Sequence, residues 1–304
     1  MSAPSTVVQA TARDGAMDAG IVNAMTVDVE DYFQVQAFAG TVARRDWDRF
    51  PSRVEANTDR LLETFAASGA RATFFTLGWV ARRHPALIRR IVAGGHELAS
   101  HGWDHTRADA QDPAAFRADV SRARAVLEDA GGVCVRGYRA ATFSIGARNL
   151  WAFRVLEEAG YRYSSSINPI RHDLYGMPDA PRVPFRPGGG MVWEFPMTTV
   201  RAFGRNWPCA GGGYFRLLPD ALYRAGLRRV NARDGWPAIF YLHPWEIDPD
   251  QPRIAGVRWK SRLRHYTNLD RMLPALCGVL RAAHWDRMDR VFAPQLADPG
   301  RGDA

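Results

Sequence analysis

From residue 25 to residue 164 the chain alternates short apolar runs with segments of helical period, and this rhythm limits its fold more than any other feature. Residues 25–33 read MTVDVEDYF, where Met25, Val27 and Val29 alternate with Thr26, Asp28 and Glu30 as a strand requires. Residues 53–68 carry Val54, Leu61, Leu62 and Phe65 at helical spacing and stop at Gly69; residues 72–77, ATFFTL, predict a buried strand. The alternation continues with a helix over 79–93, a strand over 97–100, a helix over 113–130 opened by Asp112 as N-cap, a strand over 133–138, a helix over 147–159 and a strand over 161–164. Strands separated by helices are joined by crossovers and therefore run parallel, which predicts an α/β barrel or a wound sheet.

After Ile167 the rhythm breaks. Prolines 169, 178, 181, 184 and 187 punctuate a long excursion, in which Gly188-Gly189-Gly190 separates 182–185 from 191–195 in a candidate hairpin. A helix over 219–232, an apolar strand over 238–242 that delivers His243, and a helix over 269–283 crossed by Pro274 follow. With 304 residues and 46% hydrophobic content, one large domain over 21–293 is expected, elaborated at 168–235 and 244–293, between a flexible arm (1–20) and a flexible tail (294–304).

Charge and cysteines narrow the class. The net charge of +8 is carried by arginines spread along the whole chain, with one lysine, Lys260, whereas a nucleic-acid binder concentrates its charge in a stripe; no nucleic-acid partner is expected. No run of 18 apolar residues exists, so no transmembrane segment is expected. Cys134, Cys209 and Cys277 are odd in number and not in a CxxC pattern, which suits free thiols in a reducing compartment; with no signal-like N-terminus, a cytoplasmic location is expected.

The chemistry is concentrated at predicted strand ends. Asp28, Glu30 and Asp31 fall within four positions, and like charges so close need a positive partner: a metal, an arginine or a shared proton. His101 and His105 are four apart, so a helical turn there would point both imidazoles at one cation. Two histidines and one carboxylate leave positions free for water and substrate, as in catalytic rather than structural metal sites. His243, at the end of its own strand, could give a proton to a leaving amine. Arg139, following the strand over 133–138, could hold Asp28 ionised and oriented.

The set TVDVEDYF, SHGWDH, GYRAATFS and FYLHPWEID resembles the polysaccharide deacetylase family, also called the NodB-homology or carbohydrate esterase family 4 group. The later segments RHDLYGMPDAPR, AGGGYFRLLP, HPWEIDP and RLRHYTNL resemble its exosortase- and exopolysaccharide-associated branch, which has a DUF3473-like C-terminal region. The resemblance implies a distorted (β/α)7 barrel with a C-terminal elaboration and a divalent metal, commonly Zn2+, held by one acid and the HxxxH pair. Position by position it implies Asp28 as general base, His101 and His105 as metal ligands, Arg139 beside the base, Thr142 as an oxyanion donor through its backbone N–H, and His243 as general acid. Strand parity favours Glu30 as the metal carboxylate, with Asp31 as the alternative should the chain turn at Val29. Tyr32, Trp103, Tyr214 and Trp245 are candidate stacking faces for sugar rings.

The activity so implied is hydrolysis of N-acetyl groups from a bacterial exopolysaccharide or oligosaccharide, in association with the exopolysaccharide synthesis machinery. One departure stands out: where relatives place an aspartate that tunes the acid histidine, this chain has Ser164-Ser165-Ser166, so either another acid substitutes or His243 is less basic. A small-molecule amidase, a metal-independent carbon-nitrogen hydrolase on the same fold and a non-catalytic glycan-binding relative are the alternatives.

Overall fold

A computed structural model describes residues 20–297; all but residue 20 of the arm expected at 1–20, and residues 298–304 of the tail expected at 294–304, lie outside the described residues. The architecture grows around β1 (Val22–Val29), which is buried in every residue but its first. Its neighbours are β2 (Thr73–Thr76), β3 (Glu97–Ser100), β4 (Gly137–Tyr138), β5 (Tyr163–Ser164) and β6 (Trp193–Glu194), each paired in parallel with the one before. A hairpin of β7 (Thr199–Ala202) and β8 (Arg205–Pro208) stands apart from this sheet. Then β9 (Ile239–Leu242) and β10 (His284–Asp286) return to β1, both in parallel. Because Ala24 pairs with both Asp286 and Ile239, while Thr26 pairs with both Thr73 and Tyr241, β9 takes one edge of β1 and β10 and β2 share the other.

The sheet curls into a distorted barrel whose gap between β6 and β9 is spanned by irregular chain. Met197 N–H bonds Ile167 O at 2.9 Å, Cys209 N–H bonds Thr198 O at 3.0 Å and Tyr241 N–H bonds Ala210 O at 2.7 Å. Helices α1 (Val54–Ser68), α2 (Gly78–Arg83), α3 (Pro85–Ala93), α4 (Pro113–Gly131) and α5 (Trp151–Glu158) cover the outside. The expected helix over 79–93 is two helices, because Pro85 has no N–H to continue the first and its ring displaces the chain at His84. On α3, Leu87, Ile88 and Ile91 are fully buried, each stabilising the fold by roughly 1.5–3 kcal/mol relative to exposure. Asp112 caps α4 by accepting the Ala115 N–H at 2.8 Å.

The C-terminal half keeps less of the expected outline. The candidate hairpin of 182–185 with 191–195 is reduced to one antiparallel bridge, Phe185 with Glu194, because Trp193 and Glu194 are drawn into the barrel as β6. Four helices follow, α6 (Gly212–Leu217), α7 (Asp220–Arg229), α8 (Trp259–Tyr266) and α9 (Leu269–Ala282), the last containing Pro274 as expected. The tail expected from residue 294 starts with a helical turn, Ala293–Ala297. Among the described residues no helix is long and apolar enough to cross a membrane.

Candidate metal centre and active site

Carboxyl ends of parallel strands collect side chains at one rim, and here that rim receives Asp28 from β1, His101 after β3, Arg139 after β4, Ser164 to Ser166 from β5 and His243 after β9. Asp28 and Glu30 point into it although β1 ends at Val29. The ligand atoms of Glu30, His101 and His105 all lie within 4.8 Å of one another, and all three residues are buried. Asp31 does not join them. Its carboxylate faces away and accepts from Ser52 Oγ at 2.7 Å and from the backbone N–H groups of Tyr32, Arg53 and Val54.

The histidines meet without the expected helical turn. The loop bends through Gly102 at φ 77° and His105 at φ 60°, left-handed conformations that glycine adopts freely and histidine at a cost. Thr142 and Phe143, at φ 56° and 50°, share that strain, so three of the five non-glycine residues with positive φ among the described residues lie at this rim. His101 Nδ1 is 2.9 Å from Arg139 O, which fixes its proton there and leaves Nε2 as the electron-pair donor. Burial pushes the His101 pKa down to about 4, keeping the ring neutral as a ligand must be.

Glu30 is also primed for a cation. Burial opposes its ionisation, yet His105, His243 and His101 outweigh that and hold its pKa at about 2. Its Oε1 accepts from Trp245 Nε1 at 3.2 Å, while its Oε2, 2.9 Å from His105 Nε2, has no hydrogen-bond donor directed at it among the described residues. One buried carboxylate and two buried imidazoles with their ligand atoms this close together fit a divalent cation chelated by Glu30, His101 and His105.

Beside this cluster, Asp28 Oδ1 accepts from Arg139 Nη1 at 2.7 Å. Arg139 is itself immobilised by Thr26 Oγ1, Ser165 O and Ser165 Oγ, and lies over the Phe75 ring at 4.1 Å. The serine run thus serves Arg139 and the adjoining loop: Ser166 Oγ accepts the Ala140 N–H at 2.9 Å, and the buried Glu194 accepts the Ser166 and Ile167 N–H groups. His243 Nε2 is 3.5 Å from Glu30 Oε1 and its Nδ1 is 2.7 Å from Glu246 Oε1. Burial alone would lower the His243 pKa, but Glu246, Glu30 and Asp28 raise it to about 9.

Two of the four aromatic candidates are corrected. Tyr32 is fully buried, and Trp245 is sandwiched between His243 and His265 with ring centroids at 5.1 and 4.1 Å, so neither offers a free face. Trp103, with Arg122 over its ring, and Tyr214 remain half-buried. Sequence reasoning missed Glu246 and its partner Arg216; the three-residue spacing of His243 and Glu246, that of a capping box, was the available signal.

Residues 46–164 match the family model described as polysaccharide deacetylase, and residues 165–293 match a domain of unknown function, DUF3473. A chitooligosaccharide deacetylase of Rhizobium leguminosarum bv. trifolii is 33% identical over 73 residues, 24% of this chain and 34% of that protein. The peptidoglycan-N-acetylglucosamine deacetylase PgdA of Listeria monocytogenes is 40% identical over 48 residues, 16% of this chain and 10% of that protein. The matched stretches thus span 34% and 10% of these two relatives. A solved structure from Mycobacterium smegmatis, described as a polysaccharide deacetylase, superposes with a TM-score of 0.62 at 21% identity, covering 95% of each chain, and shares the fold.

Proposed function

We propose that this chain, whose residues 46–164 match the polysaccharide deacetylase family model, carries out metal-dependent removal of N-acetyl groups from a bacterial exopolysaccharide, with release of acetate. The observation that carries this reading is the convergence of Glu30, His101 and His105 beside the Asp28–Arg139 pair and His243 at one rim. Zinc is the metal best matched to two imidazoles and one carboxylate with positions left open. Such a cation, when bound, lowers the pKa of water toward neutrality and polarises an acyl carbonyl.

The chain's own groups supply the remaining chemistry. Asp28, held in place by Arg139, takes a proton from the attacking water as its oxygen bonds the acetyl carbon. The Thr142 N–H, presented by its left-handed turn, donates to the developing oxyanion, an effect of roughly 3 kcal/mol for a well-placed donor. His243 gives its Nε2 proton to the sugar nitrogen as the carbon-nitrogen bond breaks. Trp103 and Tyr214 offer faces to neighbouring sugar rings.

N-acetylated glycan as the substrate class is supported by the relatives' names, chitooligosaccharide and peptidoglycan deacetylases, and the exopolysaccharide, with its synthesis machinery, by the resemblance of the C-terminal segments to the exopolysaccharide-associated branch. Three free cysteines, Cys134 exposed, support a reducing, cytoplasmic setting. The test is acetate release from N-acetylated oligosaccharides before and after chelation. Loss on chelation with recovery on adding zinc supports the reading; a rate indifferent to chelator, or no acetate, refutes it.

A further inference from the structure

His243 turns Nε2 toward the rim and Nδ1 back into the protein, so whatever meets Nδ1 governs how the ring is aimed. The serine run does not meet it: Ser165 holds Arg139, and Ser164 Oγ donates to Ser166 Oγ at 2.8 Å. Glu246 Oε1 stands there at 2.7 Å and also accepts the backbone N–H of His243 at 3.1 Å. The other carboxylate oxygen accepts from Arg216 Nε at 2.6 Å. Arg216 donates further to the carbonyls of Arg264, His265 and Thr267, at 3.0, 3.0 and 2.6 Å. Glu246 is 0% and Arg216 7% exposed, so the carboxylate is held at both ends and shielded from water.

Resting on the deacetylase reading above, we propose that Glu246, clamped by Arg216, is the positioning residue for the proton-donating imidazole of His243. The region at 165–293, matched to a domain of unknown function, thereby contributes the acid arm of a site whose two candidate metal histidines lie at 46–164. An ionised carboxylate on Nδ1–H fixes the ring's tautomer and orientation and stabilises imidazolium, work that a serine hydroxyl cannot do. As the carbon-nitrogen bond of the tetrahedral adduct breaks, its electron pair stays on nitrogen, which takes the Nε2 proton. The neutral ring left behind keeps its Nδ1 proton on Glu246.

The experiment compares two acetyl donors with wild type and Glu246→Gln, which keeps the shape of the side chain, removes its charge and replaces one of its two accepting oxygens with an NH2 group. An N-acetylglucosamine oligosaccharide has an amine leaving group that needs a proton; 4-nitrophenyl acetate has one that does not. In Glu246→Gln, kcat on the oligosaccharide is expected to fall roughly 30-fold, less than the roughly 10²–10⁴-fold of losing a general acid outright because the imidazole itself remains, and the amide-to-ester ratio at least about tenfold, with KM within about twofold. Glu246→Asp should restore part of that ratio, a recovery that a general loss of folding would not show. Equal loss on both substrates, or undiminished amide turnover, overturns the proposal.

A second measurement needs no variant to fold. Nitrogen-15 spectra of the wild-type protein should show a proton on His243 Nδ1 in a strong hydrogen bond; an unprotonated Nδ1 overturns the assignment. If wild type releases no acetate, the deacetylase reading fails while this spectrum still decides the Glu246 pairing.

Discussion

Arg139 Nη1 and Asp28 Oδ1 stand 2.7 Å apart in a place that solvent barely reaches, the Arg139 side chain being 0% and that of Asp28 3% exposed. Removing one member of such a pair strands the other charge in a low-dielectric setting. Arg139→Met is therefore expected to lose about 3–5 kcal/mol of unfolding free energy in urea titrations. The double variant Asp28→Asn/Arg139→Met, which buries no lone charge, should lose less than the single one. A single variant within about 1 kcal/mol of wild type would show that water reaches the pair.

Trp245 acts through an atom rather than a face. Its Nε1 donates to Glu30 Oε1 at 3.2 Å while its ring fills the space between His243 and His265. Trp245→Phe keeps the stack and removes the donor, so zinc affinity, measured by chelator competition, should weaken about tenfold. An unchanged affinity would show that the indole does not orient the carboxylate.

Glu194 gives a pH signature away from the candidate ligands. Burial pushes its carboxyl up to about 7, against the pull of the Ile167 and Ser166 N–H groups on its Oε1, and its Oε2 has no hydrogen-bond partner among the described residues. Between the ordinary value for glutamate and 7 the folded state holds a proton that the unfolded chain has released, so stability falls as pH rises through that window and levels off above it. Glu194→Gln lacks this titration. Relative to wild type it should gain on the order of 3 kcal/mol between pH 5 and pH 8, read from denaturant midpoints at each pH. A stability difference that does not change with pH would contradict a protonated Glu194.

Trp103 and Tyr214 are the aromatic candidates with exposed surface. Trp103→Ala and Tyr214→Ala should raise KM for a long oligosaccharide several-fold, at about 1 kcal/mol per lost stacking contact, and leave 4-nitrophenyl acetate turnover within about twofold. Equal effects on both substrates would assign the rings to packing.

Much of this was written in the sequence where period and spacing carry it. The alternation through residue 164 sets parallel strands, and strand ends then place Asp28, His101, Arg139 and His243 on one rim. The side-chain period of two pointed to Glu30 over Asp31, and the structure turns Asp31 toward the start of α1. What stayed hidden depends on contacts distant in the chain. Arg216 meets Glu246 across 30 positions, and nothing local in FRLLP marks it as buried. Three-residue β10 is too short to show a period, and its pairing with β1 is a tertiary fact. Tyr32 and Trp245 read as rim aromatics because sequence shows where a ring lies along a strand but not what covers it.

The central claim is that Glu30, His101 and His105 grip one cation, and metal stoichiometry by elemental analysis after zinc loading and exhaustive dialysis tests it most directly. Wild type should retain one zinc per chain, and Glu30→Gln and His101→Ala should each retain almost none while keeping wild-type secondary structure. Full stoichiometry in both variants, or no zinc in wild type, would contradict the account.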